Sequence, residues 1–77
     1  MKGYKVSWIY LDMRDFPRFT QKPVLFWHLG EAQEVVADIS QDPGVICIML
    51  DEADSENPDK VLRAIDHRAF PQRCGKG

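Results

Sequence analysis

The continuous apolar run Val45–Leu50 constrains the fold of this 77-residue chain more than any other segment. Residues with strong turn propensity bound it on both sides, Asp42-Pro43-Gly44 before it and the polar segment 51–57 after it. An apolar run this short that begins with β-branched types is typical of a buried strand, because helices usually need at least about ten residues. We therefore predict a buried strand at 45–50.

Two more strands are predicted in the first third of the chain. Residues 4–13 are rich in β-branched and aromatic types and contain neither glycine nor proline, which favours a strand. Residues 22–29 predict a second strand, with Pro23 near its start, where a missing N–H is tolerated. The intervening residues 14–22 combine a proline with mixed charges and are predicted to form a loop or a hairpin end.

Two helices are predicted from the spacing of apolar residues. The first, at 31–42, follows Gly30 and has apolar residues at i, i+3, i+4 and i+7. These residues are Ala32, Val35, Val36 and Ile39. The second is predicted to start at Asn57-Pro58-Asp59, with asparagine as N-cap and proline at the first helical position. It is predicted to end near Phe70, before Pro71.

These elements predict an α+β fold in a single domain spanning residues 1–77. The order is β-β-α-β-α, with a three-stranded antiparallel sheet in the order 2-1-3 packed against two helices. Residues 72–77 are predicted to be a frayed tail. Cys47 is predicted to be a buried thiol and Cys74 a tail thiol, which fits a reducing, cytoplasmic setting.

The strands are apolar on both faces, so the sheet offers two surfaces to cover. We expect Ile9 and Leu11 to face the helices and Val6, Trp8 and Tyr10 to lie on the opposite side. Either the second helix wraps round to that side, or its aromatic residues are exposed and meet a partner. In the second case, Val6, Trp8 and Tyr10 are the candidate oligomer interface.

Charge is unevenly distributed along the chain. No lysine or arginine occurs between Lys22 and Lys60, and nine acidic residues give this stretch a net charge of −9, against −2 for the whole chain. A concentrated field of one sign steers association with oppositely charged partners. The candidate partner-binding residues are Glu31, Glu34, Asp38, Asp42, Asp51, Glu52, Asp54 and Glu56.

The first four of these acids form a row on the predicted first helix, within roughly 80° of one another. A solvated helix face usually interleaves lysine at i+4, which contributes a few tenths of a kcal/mol per pair, but no cation is available here. For the row, the alternative interpretation is an ordinary solvated helix face. For Asp54, Glu56 and Asp59, the alternative is that the N-terminus of the predicted second helix favours acids without any partner.

No catalytic, cofactor-binding or metal-binding pattern occurs in the sequence. An EF-hand frame that starts at Asp51 has Ala53 at its third position and lacks the required glycine. His28 and His67 have no zinc-ligand spacing, and no glycine-rich phosphate loop is present. We therefore expect no catalytic residues, no cofactor, no metal and no enzymatic activity.

We expect a non-enzymatic binding protein whose acidic residues engage a basic surface of a larger protein, such as a nucleic-acid-binding groove, and block it. A short acidic α+β chain without a catalytic constellation is similar to many phage-encoded inhibitors, including anti-CRISPR proteins that act as nucleic-acid mimics. The similarity covers size and charge. It implies an inhibitor. A cytoplasmic setting is the default expectation, because no run long enough to span a membrane and no signal-peptide pattern are present.

Two further functions are considered as alternatives. The first is a homodimerising structural or regulatory module that uses the aromatic sheet face. The second is a small nucleic-acid-binding or metal-dependent domain. Direct nucleic-acid binding is disfavoured because the acidic stretch repels phosphates, and no membrane contact is expected because no apolar run approaches about 20 residues.

Overall fold

The structure, a computed structural model, describes residues 1–20 and 22–73. In chain order its elements are β1 (Lys2–Leu11), β2 (Pro17–Phe19), β3 (Val24–Phe26), α1 (Leu29–Ser40), β4 (Val45–Asp54), β5 (Val61–Ala69) and a 3-10 turn (Pro71–Arg73). The strands form one antiparallel sheet. The fold is therefore a small α+β fold, as predicted, but the described residues contain one α-helix and five strands.

β1 and β4 form the centre of the sheet, and each is ten residues long. β5 pairs with the outer edge of β4. β2 and β3 both pair with the other edge of β1, β2 along Ile9–Leu11 and β3 along Tyr4–Val6. The first strand thus lies between the neighbours predicted for it, and β5 extends the sheet by one position.

β2 and Thr20, which follows it, lie in the segment 14–22 that was predicted as a loop or a hairpin end, and the strand predicted at 22–29 is shortened to β3. The Thr20 hydroxyl accepts a hydrogen bond from the Trp8 N–H at 2.9 Å and donates one to the Trp8 carbonyl at 2.7 Å. The Thr20 N–H donates to the same carbonyl at 2.9 Å. Since one residue satisfies the backbone of β1 here, the chain can leave the sheet edge and return as β3.

The core lies between the sheet and α1. Val6 on β1 and Ile48 and Leu50 on β4 are fully buried, and they form one cluster with Ala32 and Val36 of α1. The i, i+4 spacing of the two helix residues places both on the side of α1 that faces the sheet. The apolar stripe predicted for this helix is therefore confirmed.

The strand register corrects the predicted orientation of β1. Val6 pairs with Leu50 and Trp8 with Ile48, and paired residues of antiparallel strands share a face. Val6, Trp8 and Tyr10 therefore lie on the side that α1 covers, whereas they were predicted on the opposite side. A strand that is apolar on both faces leaves the choice of face to the pairing, and a shift of one residue exchanges the faces.

Residues 61–69 form the strand β5, so the predicted second helix is wrong. Asn57–Lys60 is the turn of a hairpin, closed by the Lys60 N–H, which donates to the Asn57 carbonyl at 2.9 Å. β5 pairs with an edge of β4 that would otherwise carry a row of unpaired backbone groups. Two register shifts between β4 and β5 interrupt the alternation of side chains, and this gives β5 an apolar spacing like that of a helix.

The chain after β5 is ordered further than the sequence predicts. Pro71–Arg73 forms a 3-10 turn, and the Phe70 N–H donates to the Ile46 carbonyl at 2.8 Å. The predicted fraying therefore does not apply to residues 72 and 73. The rest of the predicted tail, residues 74–77 with Cys74, lies outside the described residues.

Candidate interaction surfaces

Three carboxylates form a row on the exposed flank of α1, called here the α1 row. Glu31, Glu34 and Asp38 are all exposed, and helix geometry places them within roughly 60° of one another. The last turn of α1 contains no basic residue. Within residues 1–20 and 22–73, none of the three carboxylates forms an ion pair.

Asp42, the fourth acid of the predicted row, lies beyond α1 in the turn that leads into β4. Its Oδ1 accepts a hydrogen bond from the Gly44 N–H at 2.9 Å, which is the arrangement of an Asx turn. The side chain is exposed, but its hydrogen bond stabilises the turn. The predicted row is thus reduced to three carboxylates that form no ion pair with the described residues and one that stabilises a turn.

Arg73 binds the C-terminal end of α1. Its Nη2 donates to the Ser40 carbonyl at 3.1 Å, and its Nη1 donates to the carbonyls of Asp42 and Val45 at 3.0 and 2.9 Å. The guanidinium carbon lies 4.1 Å from the centre of the Phe70 ring. A cation is favourable here because the last carbonyls of a helix carry partial negative charge. This role was not predicted from the sequence, because Arg73 lies in the segment 72–77 that was predicted to be a frayed tail.

Asp51 is a buried acid of the sheet, with 6 % of its surface exposed. β4 continues through it to Asp54, so the predicted polar loop starts later than expected. Asp51 Oδ1 lies 2.6 Å from Nε2 of His67 on β5. Burial of a polar group is costly unless it is hydrogen-bonded, so His67 stabilises Asp51 in a position away from the surface. His67 was not among the predicted functional residues.

Glu52 points to the opposite face of the sheet from Asp51, because successive side chains of a strand alternate. Its Oε1 lies 3.7 Å from Lys2 Nζ, and its Oε2 lies 3.5 Å from Arg63 Nη2. The Glu52 side chain is 13 % exposed. The two acids therefore have separate partners within the chain, and neither joins the α1 row.

Asp54 and Glu56 lie where β4 leads into the hairpin turn. Asp54 Oδ1 accepts a hydrogen bond from the Glu56 N–H at 2.9 Å, and this bond holds the pKa of the Asp54 carboxyl below its usual value. Glu56 itself is exposed. The eight candidate acids thus do not share one face, because three lie on α1 and five lie in turns or on the two faces of β4.

The residues predicted as an oligomer interface belong to the helix-covered side of the sheet. Val6 is fully buried, whereas Tyr10 at the rim is 37 % exposed. Trp8 is partly buried and packs against the same core. Of the three residues, Val6 is therefore closed to a second copy, whereas Tyr10 remains partly accessible.

Asp12 organises the turn between β1 and β2. Its carboxylate accepts hydrogen bonds from the N–H groups of Arg14 and Phe16 at 2.8 and 3.0 Å and from Arg18 Nε at 2.9 Å. The bonds from Phe16 and Arg18 hold the pKa of the Asp12 carboxyl below its usual value. Asp15 has a φ of 62°, a left-handed conformation that aspartate tolerates better than most residues.

Replacement of Asp12 by asparagine tests this turn. Because the folded-state pKa of Asp12 lies below its unfolded value of about 3.9, its contribution to stability is present above about pH 4 and is lost as the pH falls through the folded-state pKa. Asp12→Asn should therefore lower Tm at about pH 7 and reduce the difference in Tm between about pH 7 and pH 2.5. Asp38→Asn is the matched control, and equal profiles for both variants would contradict this role of Asp12.

A concavity of about 360 Å³ borders the same turn and is lined by Asp12, Met13, Arg14, Phe16 and Arg18. Among residues 1–20 and 22–73, no three histidine, cysteine, aspartate or glutamate side chains are grouped so that they could hold a metal ion. No helix in those ranges has both the length and the apolar character needed to cross a membrane.

No known protein family, curated protein or solved structure matches this chain.

Proposed function

We propose that this chain is a non-enzymatic binding protein that attaches through the α1 row to a basic surface on a larger protein. Glu31, Glu34 and Asp38 form the centre of the contact, and Asp42 lies at its end. The target is a protein with a nucleic-acid-binding groove, which the bound chain would block. The proposal places this inhibition in the cytoplasm.

The proposal is supported most directly by the contrast between the α1 row and the acids of β4. Asp51 and Glu52 have basic partners within the chain, whereas the α1 row has none among the described residues. Like charges three or four positions apart destabilise a helix by a few tenths of a kcal/mol per pair. A basic partner would offset this cost, and it would bind carboxylates that the helix already holds in position.

The spacing of the α1 row limits how closely it can imitate nucleic acid. With a rise of about 1.5 Å per residue, its three carboxylates span about 10 Å of helix axis. One strand of B-form DNA carries a phosphate every 3.4 Å or so along the axis. The row therefore matches only a few basic residues of a groove, and we expect a complex that is strongly weakened by salt.

Charge reversal on α1 tests the proposal. Glu34→Lys combined with Asp38→Lys replaces attraction by repulsion at the contact, and Glu56→Lys combined with Asp59→Lys makes the same change of net charge at the exposed hairpin turn. In a pull-down from bacterial lysate at about 50 mM salt, the α1 variant should capture basic proteins at least about tenfold less well than the wild type. The turn variant should capture them as the wild type does.

A salt wash provides the second measurement. Raising the salt to about 500 mM should release the captured proteins, since exposed charges are then screened over a few ångströms. Equal capture by the two variants, or complexes that persist at high salt, would contradict the proposal. Circular dichroism of both variants checks that each is folded.

A further inference from the structure

We propose that the face of the sheet opposite α1 is a homodimer interface, at which two copies of this chain pack sheet against sheet. This inference goes beyond the proposed function and does not depend on it, because the α1 row lies on the other side of the molecule. The occupant of the face is a second copy. The interface is supported by an apolar row of side chains, its exposure, its self-complementary shape and the area available.

An apolar row of side chains crosses all four strand positions of the sheet. Phe19 on β2 pairs with Ile9 on β1. Cys47 on β4 pairs with Ile9 on one side and with Ala69 on β5 on the other. Paired residues share a face, and Cys47 points away from α1 because its neighbour Ile48 points towards it. The cross-sheet row, defined as these four residues, therefore lies on the open face.

The cross-sheet row is accessible in the described part of the chain. Phe19 is 67 % exposed, Ala69 is exposed, and Ile9 and Cys47 are partly buried. The radius of gyration is 12.8 Å, against about 11.5 Å for a compact domain of this length. The sheet has apolar residues on both faces, and α1 covers only one of them. The apolar residues of the other face therefore remain to be covered.

The cross-sheet row is self-complementary in size. Its largest side chain, Phe19, is at the β2 end, and its smallest, Ala69, is at the β5 end. A two-fold axis parallel to the strands and between the two sheets places β2 of one copy over β5 of the other. Phe19 then meets Ala69 twice, and Ile9 meets Cys47 twice. This is the arrangement that an isologous interface requires.

Two charged side chains of this face already form contacts within each copy. Lys5 Nζ donates to the Pro58 carbonyl at 3.1 Å, and the Asp51 carboxylate is bonded to His67. The two α1 rows would lie on the outer sides of the dimer. Their mutual repulsion is therefore weak at physiological salt, where screening acts over about 8 Å.

The area of the face agrees with a small dimer interface. Strands about 4.8 Å apart with a rise of about 3.4 Å per residue give roughly 16 Å² of face for each strand residue, and the five strands together have 35 residues. This is about 570 Å² per copy before side-chain relief is counted, and about 1,100 Å² for two copies. A biological interface is expected to bury more than about 1,000 Å² in total.

An exchange of Phe19 and Ala69 tests the geometry by sedimentation equilibrium. The wild type is expected to be a dimer that persists at about 500 mM salt, because the contact is apolar. Phe19→Ala opens a gap and Ala69→Phe sets two rings against each other, so each should raise the dimer Kd at least about tenfold. The double variant should return Kd to within about threefold of the wild type, because the ring at position 69 of one copy then fills the space left at position 19 of the other.

Phe16→Ala is the matched control, since Phe16 is 56 % exposed in the turn before β2 and outside the cross-sheet row. It should leave Kd unchanged. A wild type that is monomeric at all concentrations, an equal effect of Phe16→Ala, or a double variant weaker than both single variants would overturn the proposal. Phe19→Glu at the same exposed position provides a second disruption if the alanine variant does not fold. Failure of the dimer would leave capture through the α1 row unaffected.

Discussion

Replacement of Ile48 by alanine is expected to lower the free energy of unfolding by about 2–5 kcal/mol. Ile48 is the largest of the fully buried side chains, and it lies in the cluster that joins the sheet to α1. Its truncation removes buried apolar surface and leaves a cavity that the sheet cannot easily close. A domain of this length has roughly 4–12 kcal/mol of total stability, so the variant would lose a large share of it.

Urea unfolding followed by tryptophan fluorescence measures this loss, with Leu62→Ala as the matched control. Leu62 on β5 is 42 % exposed, so its truncation should change the stability by no more than about 1 kcal/mol. The two variants are to be compared at one protein concentration, because the dimer proposed above would couple stability to concentration. Equal losses would show that Ile48 is not in the core.

Replacement of Arg73 by alanine is expected to lower the free energy of unfolding by about 2–3 kcal/mol, which is large for a residue outside the sheet and α1. The variant removes three charge-assisted hydrogen bonds to the carbonyls of Ser40, Asp42 and Val45. It also removes the contact with the Phe70 ring. The carbonyls at the end of α1 and in the following turn then lose their cation, and we expect this end of the helix to open first.

Urea unfolding gives the total cost, and amide hydrogen exchange in residues 37–45 locates it. Arg73→Lys keeps the charge but lacks the planar group that bonds several carbonyls at once. We therefore expect it to lose most of the stability that Arg73→Ala loses. Gln72→Ala is the control, since Gln72 is exposed. If Arg73→Ala behaves like Gln72→Ala, the contact does not stabilise α1.

The elements that could be predicted from the sequence are those with a local signal. The stripe containing Ala32 and Val36 specifies which side of α1 is buried, because helical periodicity is a property of neighbouring residues. The run Val45–Leu50 specifies a buried strand because a short apolar run bounded by turn residues is also a local signal. Both are observed.

β5 could not be predicted in this way, because its partner is remote in the sequence. Asn57-Pro58-Asp59 is a good helix start by local rules, and the two bulged positions opposite β4 hide the alternation of a strand. Pairing with β4 outweighs the local preference, since strand propensity depends on neighbours across the sheet. The same pairing moved Asp51 from a predicted acidic surface to a buried contact with His67.

The sequence by itself determined the charge imbalance, the helix that carries the α1 row and the apolar character of both strand faces. The tertiary structure decided which acids have partners among the described residues, which face of β1 is buried and which apolar row is left open. The physical reason is that composition and periodicity are local properties. Strand register and the return of Arg73 to α1 join residues that are distant in the chain, and only these contacts decide which charges have partners among the described residues and which strand face α1 covers.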